Sequence, residues 1–209
     1  MGEGRMPGVD RALGVDRPPG GDPVEGRDAL ARVGGSSSAR SSSDPSHPVK
    51  PFVSHSCGVS EVRIRAATPE DADVIAEVFI ASFGTLTFLP QLHTDAETFD
   101  FIANKVVGEQ EVLVAERHGG IVGFLAMTHG NFLEHMYVHP DSQGRGVGSA
   151  LLTRAKQRMP NGFRLWLFQQ NTQARRFYER HGLRAIEFTE GAGNEEQMPD
   201  ALYEWRPGT

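Results

Sequence analysis

The chain has a single cysteine and no long apolar run. Because Cys57 has no second cysteine to pair with, the sequence excludes an intrachain disulfide framework and fits a reducing compartment. No stretch approaches the roughly 20 apolar residues of a membrane-spanning helix. The N-terminus also lacks the apolar region and the cleavage site of a secretory signal peptide. We therefore predict a cytoplasmic protein without a membrane partner.

Positive charge and metal-binding patterns are also scarce. The chain carries 21 Lys and Arg against 27 Asp and Glu, a net charge of −6, and no basic cluster. This balance predicts no nucleic-acid partner.

His129, His135 and His139 recur at spacings of six and four residues, which do not converge on one ion, and no HExxH motif or cysteine pair accompanies them. The sequence therefore predicts no metal.

Aromatic residues are nearly missing from the first 60 positions, where Phe52 stands alone among 27 Gly, Pro and Ser residues. Such a composition cannot bury enough apolar surface to offset the entropy of ordering. We predict that residues 1–60 form a disordered tail and that residues 61–209 form the folded domain.

From residue 61 onward, apolar periodicity predicts the order β-α-α-β-β-β-α-β-α-β-β, which implies one mixed sheet flanked by helices. Thr68 and Thr94 are expected to cap the first two helices, and Asn171 and Gly182 to bound the last. The predicted buried stripe of the first helix consists of Val74, Ile75, Val78 and Phe79.

The most informative segment runs from Val138 to Ser149, where an apolar stretch ends in a turn and a glycine-rich loop opens an amphipathic helix. Gly144, Gly146 and Gly148 allow backbone N–H groups to approach a ligand without interference from a Cβ atom. The first-turn N–H groups of the following helix lack intrahelical partners and carry the positive end of the dipole. The segment therefore predicts a phosphate-binding site.

Two common phosphate-binding loops do not fit this segment. A Walker A loop ends in Gly-Lys-Ser/Thr, but the first lysine after the glycines is Lys156. A dinucleotide-binding fingerprint requires a third glycine, and counting from Gly146 places Leu151 there. A different phosphate-bearing ligand is therefore expected.

The sequence Gln143-Gly-Arg-Gly-Val-Gly148 resembles the Q/R-x-x-G-x-G/A signature of the GNAT superfamily of N-acetyltransferases. His135–Pro140 and Leu165–Phe168 resemble the two strands between which this family admits the pantetheine arm of its cofactor. Asn171–Leu183 is similar to the family's Asn…Ala-x-x-Phe-Tyr-x-x-x-Gly-Phe segment, with Leu183 in place of the usual Phe. The resemblance covers residues 61–206.

This resemblance implies an α/β (α+β) fold, with a mixed, mostly antiparallel sheet of about seven strands in which strands 4 and 5 are parallel and splayed. It also implies acetyl-CoA as co-substrate. The backbone amides of Met136 and Val138 would pair with the pantetheine arm, and that of Val138 would stabilise the oxyanion. The implied cofactor-binding residues are Met136, Tyr137, Val138, Gln143, Gly144, Arg145, Gly146, Val147, Gly148, Ser149, Asn171 and Arg175.

Asn171 and Tyr178 are seven positions apart and so share one helix face. Asn171 is a good N-cap, and the family uses this position to bond the cofactor arm. A tyrosine at the position of Tyr178 protonates the departing thiolate of coenzyme A in the family; the alternative is a core tyrosine beside Phe177. Arg175 faces either a phosphate or solvent.

Several groups are candidates for the general base that takes the proton of the amine. We prefer Glu134, because it lies two residues before Met136 and is therefore expected on the same strand face. His135, on the opposite face, and His139, in the turn, are alternatives. The acidic residues of the 187–200 segment could receive a cationic acceptor or form a solvated surface: Glu190, Glu195, Glu196 and Asp200.

The leading hypothesis is an acetyl-CoA-dependent N-acetyltransferase in which a primary amine attacks the thioester directly and Tyr178 is the general acid. The alternatives are a non-catalytic acyl-CoA-binding or sensing module and an enzyme that acetylates protein N-termini or lysines. We expect residues 83–93 and 190–200 to select the acceptor, a small-molecule or peptide amine, in a monomer or homodimer.

Overall fold

The structure, a computed structural model, describes residues 61–129 and 131–208. The predicted tail of residues 1–60, with Cys57, lies outside the described residues. Within the described ranges, no helix combines the length and apolar character needed to cross a membrane.

One sheet of seven strands organises the domain, with the spatial order first, second, third, fourth, fifth, seventh, sixth. All neighbouring strands are antiparallel except the fourth and fifth, which are parallel. The predicted fold, a mostly antiparallel sheet with parallel strands 4 and 5, is therefore confirmed. The strands are β1 (Arg63–Ala66), β2 (Glu111–Arg117), β3 (Gly120–Thr128), β4 (Phe132–Val138), β5 (Phe163–Phe168), β6 (Arg184–Thr189) and β7 (Asp200–Trp205).

In the described ranges, four α-helices flank the sheet, and short turns of other helical types extend them. A 3-10 turn, Pro69–Asp71, leads into the first helix, and a π-helical stretch, Ile102–Val107, continues the second. Another 3-10 turn, Pro140–Ser142, follows β4. The helices are α1 (Ala72–Phe83), α2 (Asp95–Phe101), α3 (Val147–Arg158) and α4 (Thr172–Arg180).

The two faces of the sheet are covered by different helices. On one face, α1 buries Ile75 and Phe79 and α2 buries Phe101, and all three pack in one cluster with Val114 and Phe124. The prediction that Val74 belongs to the buried stripe of α1 is wrong, because Val74 is 38% exposed. At 100° per residue, Val74 lies outside the arc that the buried positions of the helix share. The opposite face is covered by α3 and α4, whose buried contacts are Val147, Leu151, Leu152, Ala155 and Tyr178.

The parallel strands β4 and β5 meet at one end and then diverge. Phe132 is in register with Arg164, and the Arg164 amide donates to the Asn131 carbonyl over 3.0 Å. In the described part of the chain this is the register pair that joins the two strands. Because each strand has a well-paired neighbour on its other side, the divergence opens a gap within an otherwise continuous sheet.

A β-bulge interrupts β4 next to this gap. Leu133 pairs with Met127 and His135 pairs with Ala126, so Glu134 is the additional residue. A bulge breaks the two-residue alternation of side chains and bends the strand. The expectation that Glu134 shares a face with Met136, which assumed simple alternation, therefore rests on a spacing that does not hold across this position.

Candidate active site

Backbone amides of β4 point into the gap. The His139 amide donates to the Val122 carbonyl over 2.9 Å, towards β3. Successive amides of a strand point to opposite edges, so the Val138 and Met136 amides point towards β5. Since β5 has diverged at this level, these two amides face the gap instead of a paired strand.

The glycine-rich loop continues directly from this strand. Gly144 and Gly146 adopt positive φ angles of 70° and 83°, and a Cβ at either position would meet nothing within 4 Å. The first backbone hydrogen bond of α3 runs from Ala150 to Gly146 (3.0 Å). The amides of residues 147–149 precede that bond, as in any helix N-terminus. The side chain of Gln143 donates to the Val138 carbonyl (3.1 Å) and ties the loop to β4.

The loop is open to solvent and has room for a bulky anion. Arg145 is exposed beside the two left-handed glycines, so its guanidinium can approach a phosphate there. Gly148 also allows close packing of α3 and α4, because a Cβ there would lie 3.3 Å from the Phe177 ring and the ring would have to shift slightly. Three amides at a helix N-terminus, an open left-handed turn and an exposed arginine suit a diphosphate.

A histidine from the end of α4 braces the start of α3. The Nδ1 atom of His181 donates to the Phe177 carbonyl (2.7 Å), which leaves Nε2 of the neutral ring as an acceptor. Nε2 lies 3.0 Å from the Ser149 hydroxyl, which donates to it. No local residue pattern marks this contact, because the two residues are 32 positions apart.

Asn171 and Arg175, two of the three site residues predicted on or next to α4, both make hydrogen bonds within the domain. Asn171 caps the helix as predicted, with its side-chain oxygen accepting from the Ala174 amide (3.1 Å). Arg175 donates to the Tyr203 hydroxyl and to the Gln169 carbonyl, at 3.1 and 3.3 Å. These bonds fix α4 to β7 and β5, and they favour a structural role for Arg175 over a phosphate contact.

Tyr178 is buried on the side of the sheet that α3 and α4 cover, with its ring packed edge-on against Phe177 at 5.2 Å between centroids. Burial raises the pKa of the Tyr178 phenol, so the group keeps its proton at neutral pH. Burial likewise raises the pKa of Tyr137 on β4, and Tyr178 and Glu196 raise it further. Tyr137 therefore interacts electrostatically with two groups from other elements, one on a helix and one in a loop.

The two acid–base candidates on β4 have different environments. The Glu134 carboxylate accepts a hydrogen bond from the Thr128 hydroxyl at 2.6 Å. His135 is 1% exposed and packs among the rings of Phe101, Phe124 and Tyr137. Burial lowers the pKa of His135 to about 3, so the imidazole is neutral across the physiological range. His139 is half-buried and accepts from the Asp141 amide in the turn.

Comparison with known proteins extends these observations. The acetyltransferase (GNAT) domain family matches residues 108–184. Over 99 residues, 42% of this chain and 67% of the relative, the chain is 30% identical to peptidyl-lysine N-acetyltransferase YjaB of Salmonella typhimurium. Over 92 residues, 44% of this chain, it is 33% identical to peptidyl-lysine N-acetyltransferase YiaC of Escherichia coli K12. The match spans 61% of YiaC.

The fold also occurs in a solved structure with coenzyme A bound. The crystal structure of PaiA N-acetyltransferase from Thermoplasma acidophilum in complex with coenzyme A aligns with a TM-score of 0.56. The alignment covers 70% of this chain and 99% of that one at 20% identity, which is a likeness of fold. With a diverging pair of parallel strands, a glycine turn at the start of α3 and the matched family segment, the chain belongs to the GNAT acetyltransferase family.

Proposed function

We propose that the domain of residues 61–209 transfers the acetyl group of acetyl-CoA to a primary amine. The observation that carries this proposal is the placement of the Val138 and Met136 amides at the gap between β4 and β5, next to the N-terminus of α3. Acetyl-CoA brings an extended amide-rich arm, a diphosphate and an activated thioester. Each of these groups has a chemically suited partner around the gap.

The binding roles follow from the donors that are available. The amides of Met136 and Val138 pair with the arm, as an added strand would. The amides of Val147, Gly148 and Ser149 and the turn at Gly144–Gly146 hold the diphosphate. Asn171 uses its side-chain oxygen as the helix cap, so its amide nitrogen is the atom that would donate to the arm.

The chemical roles belong to one backbone and one side-chain group. The Val138 amide donates to the oxygen of the thioester carbonyl, where negative charge develops when the amine attacks. Tyr178 retains its proton because burial raises its pKa, and it gives that proton to the sulfur as the C–S bond breaks. Solvent then restores the proton of Tyr178. We propose direct transfer to the amine, without an acyl-enzyme.

The relatives favour a peptide acceptor as one member of the substrate class. Two of them are named as peptidyl-lysine N-acetyltransferases, and a lysine side chain is a primary amine on a flexible stem. A lysine-containing peptide therefore belongs in any acceptor panel, beside small amines of different polarity.

The test is an acceptor panel with purified full-length protein and acetyl-CoA, read by release of free thiol. We expect turnover of at least one amine and a loss of about 10²–10³-fold in kcat for Tyr178→Phe, with an unchanged Kd for coenzyme A. Tyr203→Phe is the matched control, because it removes a hydroxyl bonded to Arg175 and Glu179. It should leave kcat within about threefold of the parent, since losing one such bond changes stability more than chemistry.

Two results would contradict the proposal, and they are distinguishable. A calorimetric titration without heat from coenzyme A would remove the cofactor assignment. Binding of coenzyme A without turnover of any amine would instead support a sensing module and remove the enzymatic role.

A further inference from the structure

A cavity of about 280 Å³ lies between α1, α2 and the segment that joins them. Its size is just below the roughly 300–1,000 Å³ range of ligand pockets, so it suits a group the size of one side chain. Most of its wall is aromatic or aliphatic. The main apolar lining residues are Phe79, Phe83, Leu86, Leu89, Leu92 and Phe101.

Glu196 is the acidic group that the 187–200 segment contributes to this wall. Its Oε2 atom is buried and has no hydrogen-bond partner among residues 61–129 and 131–208. Burying a carboxylate oxygen without a partner is unfavourable, so such an atom usually binds a ligand or the group changes its protonation. Burial indeed raises the pKa of Glu196 to about 7.

The loop that carries Glu196 is held in one conformation. The buried Asn194 side chain donates to the Met198 carbonyl (2.8 Å) and to the Asp200 carboxylate (3.0 Å), and it accepts from the Met198 amide (3.0 Å). A further bond, from His93 to Glu195 over 2.9 Å, links the loop to the opposite wall of the cavity. The position of Glu196 is therefore fixed by its neighbours.

Tyr137 of β4, the strand that borders the gap, packs against the wall of the cavity. The Tyr137 ring packs edge-on against Phe79, a lining residue, at 4.8 Å between centroids. Both Tyr178 and Glu196 also raise the pKa of the Tyr137 phenol. Of the three carboxylates that line the cavity, Glu196 is the one that acts on Tyr137, and the other two, Asp95 and Glu97, are exposed.

Other acidic groups of the region already have partners or lie in solvent. Glu195 is bonded to His93, and Asp200 is bonded to Asn194 and Thr189. Glu190 is exposed. Glu134 is held by the Thr128 hydroxyl.

We propose that Glu196 binds the acceptor ammonium and removes its proton, and that the acceptor is a primary amine on a compact apolar body. This inference rests on the proposed acetyl transfer. One proton of the ammonium passes to Glu196 Oε2, and the neutral nitrogen forms a bond to the acetyl carbon. The C–S bond breaks, the sulfur takes the proton of Tyr178, and the second proton leaves the nitrogen for solvent, which restores the proton of Tyr178. The products are an N-acetylated amine and coenzyme A thiol, and solvent removes the proton from Glu196.

The apolar wall explains the acceptor class. An apolar body that fills the space between Phe83, Leu89 and Phe101 is stabilised there because its surface is removed from water. A polar body of equal size would lose its hydration there without gaining partners. Phenethylamine is a suitable apolar probe, and ethanolamine is its polar counterpart.

The pH dependence of this role has a defined direction. At pH values below about 7, Glu196 is protonated and cannot accept the proton of the amine, so kcat/KM should fall as the pH decreases. Desolvation is the main cause of the raised pKa. A hydrogen bond from the backbone of Glu196 lowers the pKa, as does His93, and the charges of Glu195 and Asp200 raise it.

The experiment measures kcat/KM for phenethylamine between pH 5.5 and 9 with the full chain. We expect the parent to show an acidic limb centred near pH 7 and Glu196→Gln to lose that limb, with about a 10²-fold lower value at pH 7.5. Glu196→Asp should keep the limb at reduced rate. Glu77→Gln, which removes an exposed charge from α1, is the matched control and should behave as the parent.

Each outcome bears on a separate claim. Retention of the acidic limb in Glu196→Gln, with kcat/KM within about threefold of the parent, would overturn the role of Glu196. A kcat/KM for ethanolamine or a lysine peptide above that for phenethylamine would overturn the apolar acceptor class. If the parent turned over no amine, the proposed function itself would fail. An unchanged melting temperature and coenzyme A affinity of the variants would show that the loss is specific to the acceptor.

Discussion

Gly123 of β3 lies directly against the Tyr137 carbonyl of β4, and a Cβ at Gly123 would be 2.9 Å from that oxygen. It would also lie 3.2 Å from the Val147 side chain and 3.3 Å from that of Val138. A residue without a side chain is therefore required where the two strands and the start of α3 converge. This contact sets the position of β4 against β3, and the other edge of β4 faces the gap.

We predict that Gly123→Ala displaces β4 and weakens coenzyme A binding. The added methyl group overpacks the site, which typically costs about 1–3 kcal/mol, and a comparable loss of binding energy is about tenfold in Kd. Calorimetry with coenzyme A and thermal melts measure both effects. Gly120→Ala in the same strand is the control, because its Cβ would meet nothing within 4 Å. Equal affinities of the two variants would contradict the prediction.

We predict that Gly146→Val weakens coenzyme A binding and destabilises the domain. Gly146 precedes α3 with φ near 83°, a conformation that costs L-residues about 1–2 kcal/mol. Gly146→Asn should be milder, since asparagine tolerates the left-handed region. Melting temperatures and calorimetric Kd values for the two variants test the order. A Val variant as stable as the Asn variant would show that this turn does not need the left-handed conformation.

His135 should make the fold less stable in acid. Its folded-state pKa of about 3 is below the unfolded value near 6.5, so below pH 6.5 protons bind more readily to the unfolded chain. The stability that the neutral imidazole maintains is complete above pH 6.5 and decreases by about 1.4 kcal/mol per pH unit down to about pH 3. Glu196 has the opposite sign between about pH 4.5 and 7. The parent and a variant of His135 both contain Glu196, so a comparison of the two cancels the contribution of Glu196.

The measurement is the free energy of unfolding of the parent and of His135→Leu by urea at pH 7.5 and 5.0. When the pH is lowered from 7.5 to 5.0, the free energy of unfolding of the variant should increase by about 2 kcal/mol relative to that of the parent. A difference between the two proteins that does not change with pH would contradict the buried neutral imidazole.

Asn194→Ala should separate acceptor chemistry from cofactor binding. Removing the amide leaves Asp200 and the Met198 backbone without the bonds described above, at a cost of about 1–3 kcal/mol. We expect a lower kcat/KM for the acceptor and an unchanged Kd for coenzyme A. Asn104→Ala is the matched control, since its amide donates to the Asp100 carbonyl on an exposed helix surface. A weakened affinity for coenzyme A would show that the loop also supports the cofactor cleft.

Local features of the fold could be predicted from the sequence because they depend on near neighbours in the chain. The Thr94 and Asn171 caps and the turn before α3 were predicted correctly, since a cap or turn is decided within about four residues. The seven strands followed from apolar periodicity. The prediction that Val74 is buried was wrong, because periodicity alone does not define the edge of a buried stripe.

The candidate site was less accessible, because its geometry depends on long-range packing. The bulge at Glu134 follows from how β4 pairs with β3, and nothing in the local residue types marks it. The contacts between Ser149 and His181 and between His93 and Glu195 join residues 32 and 102 positions apart. No local pattern specifies such pairs.

The sequence by itself determined the order of elements, the glycine turn before α3 and the family to which the chain belongs, because these are written in short-range residue patterns. Only the tertiary structure decided that Arg175 is bonded within the domain, that Glu196 places a buried carboxylate oxygen at the wall of an apolar cavity, and that Glu196 and Tyr178 both act electrostatically on Tyr137. The physical reason is that burial and electrostatic proximity are properties of packed neighbours. Those neighbours are chosen by the whole sheet and its helices, and distance along the chain does not limit them.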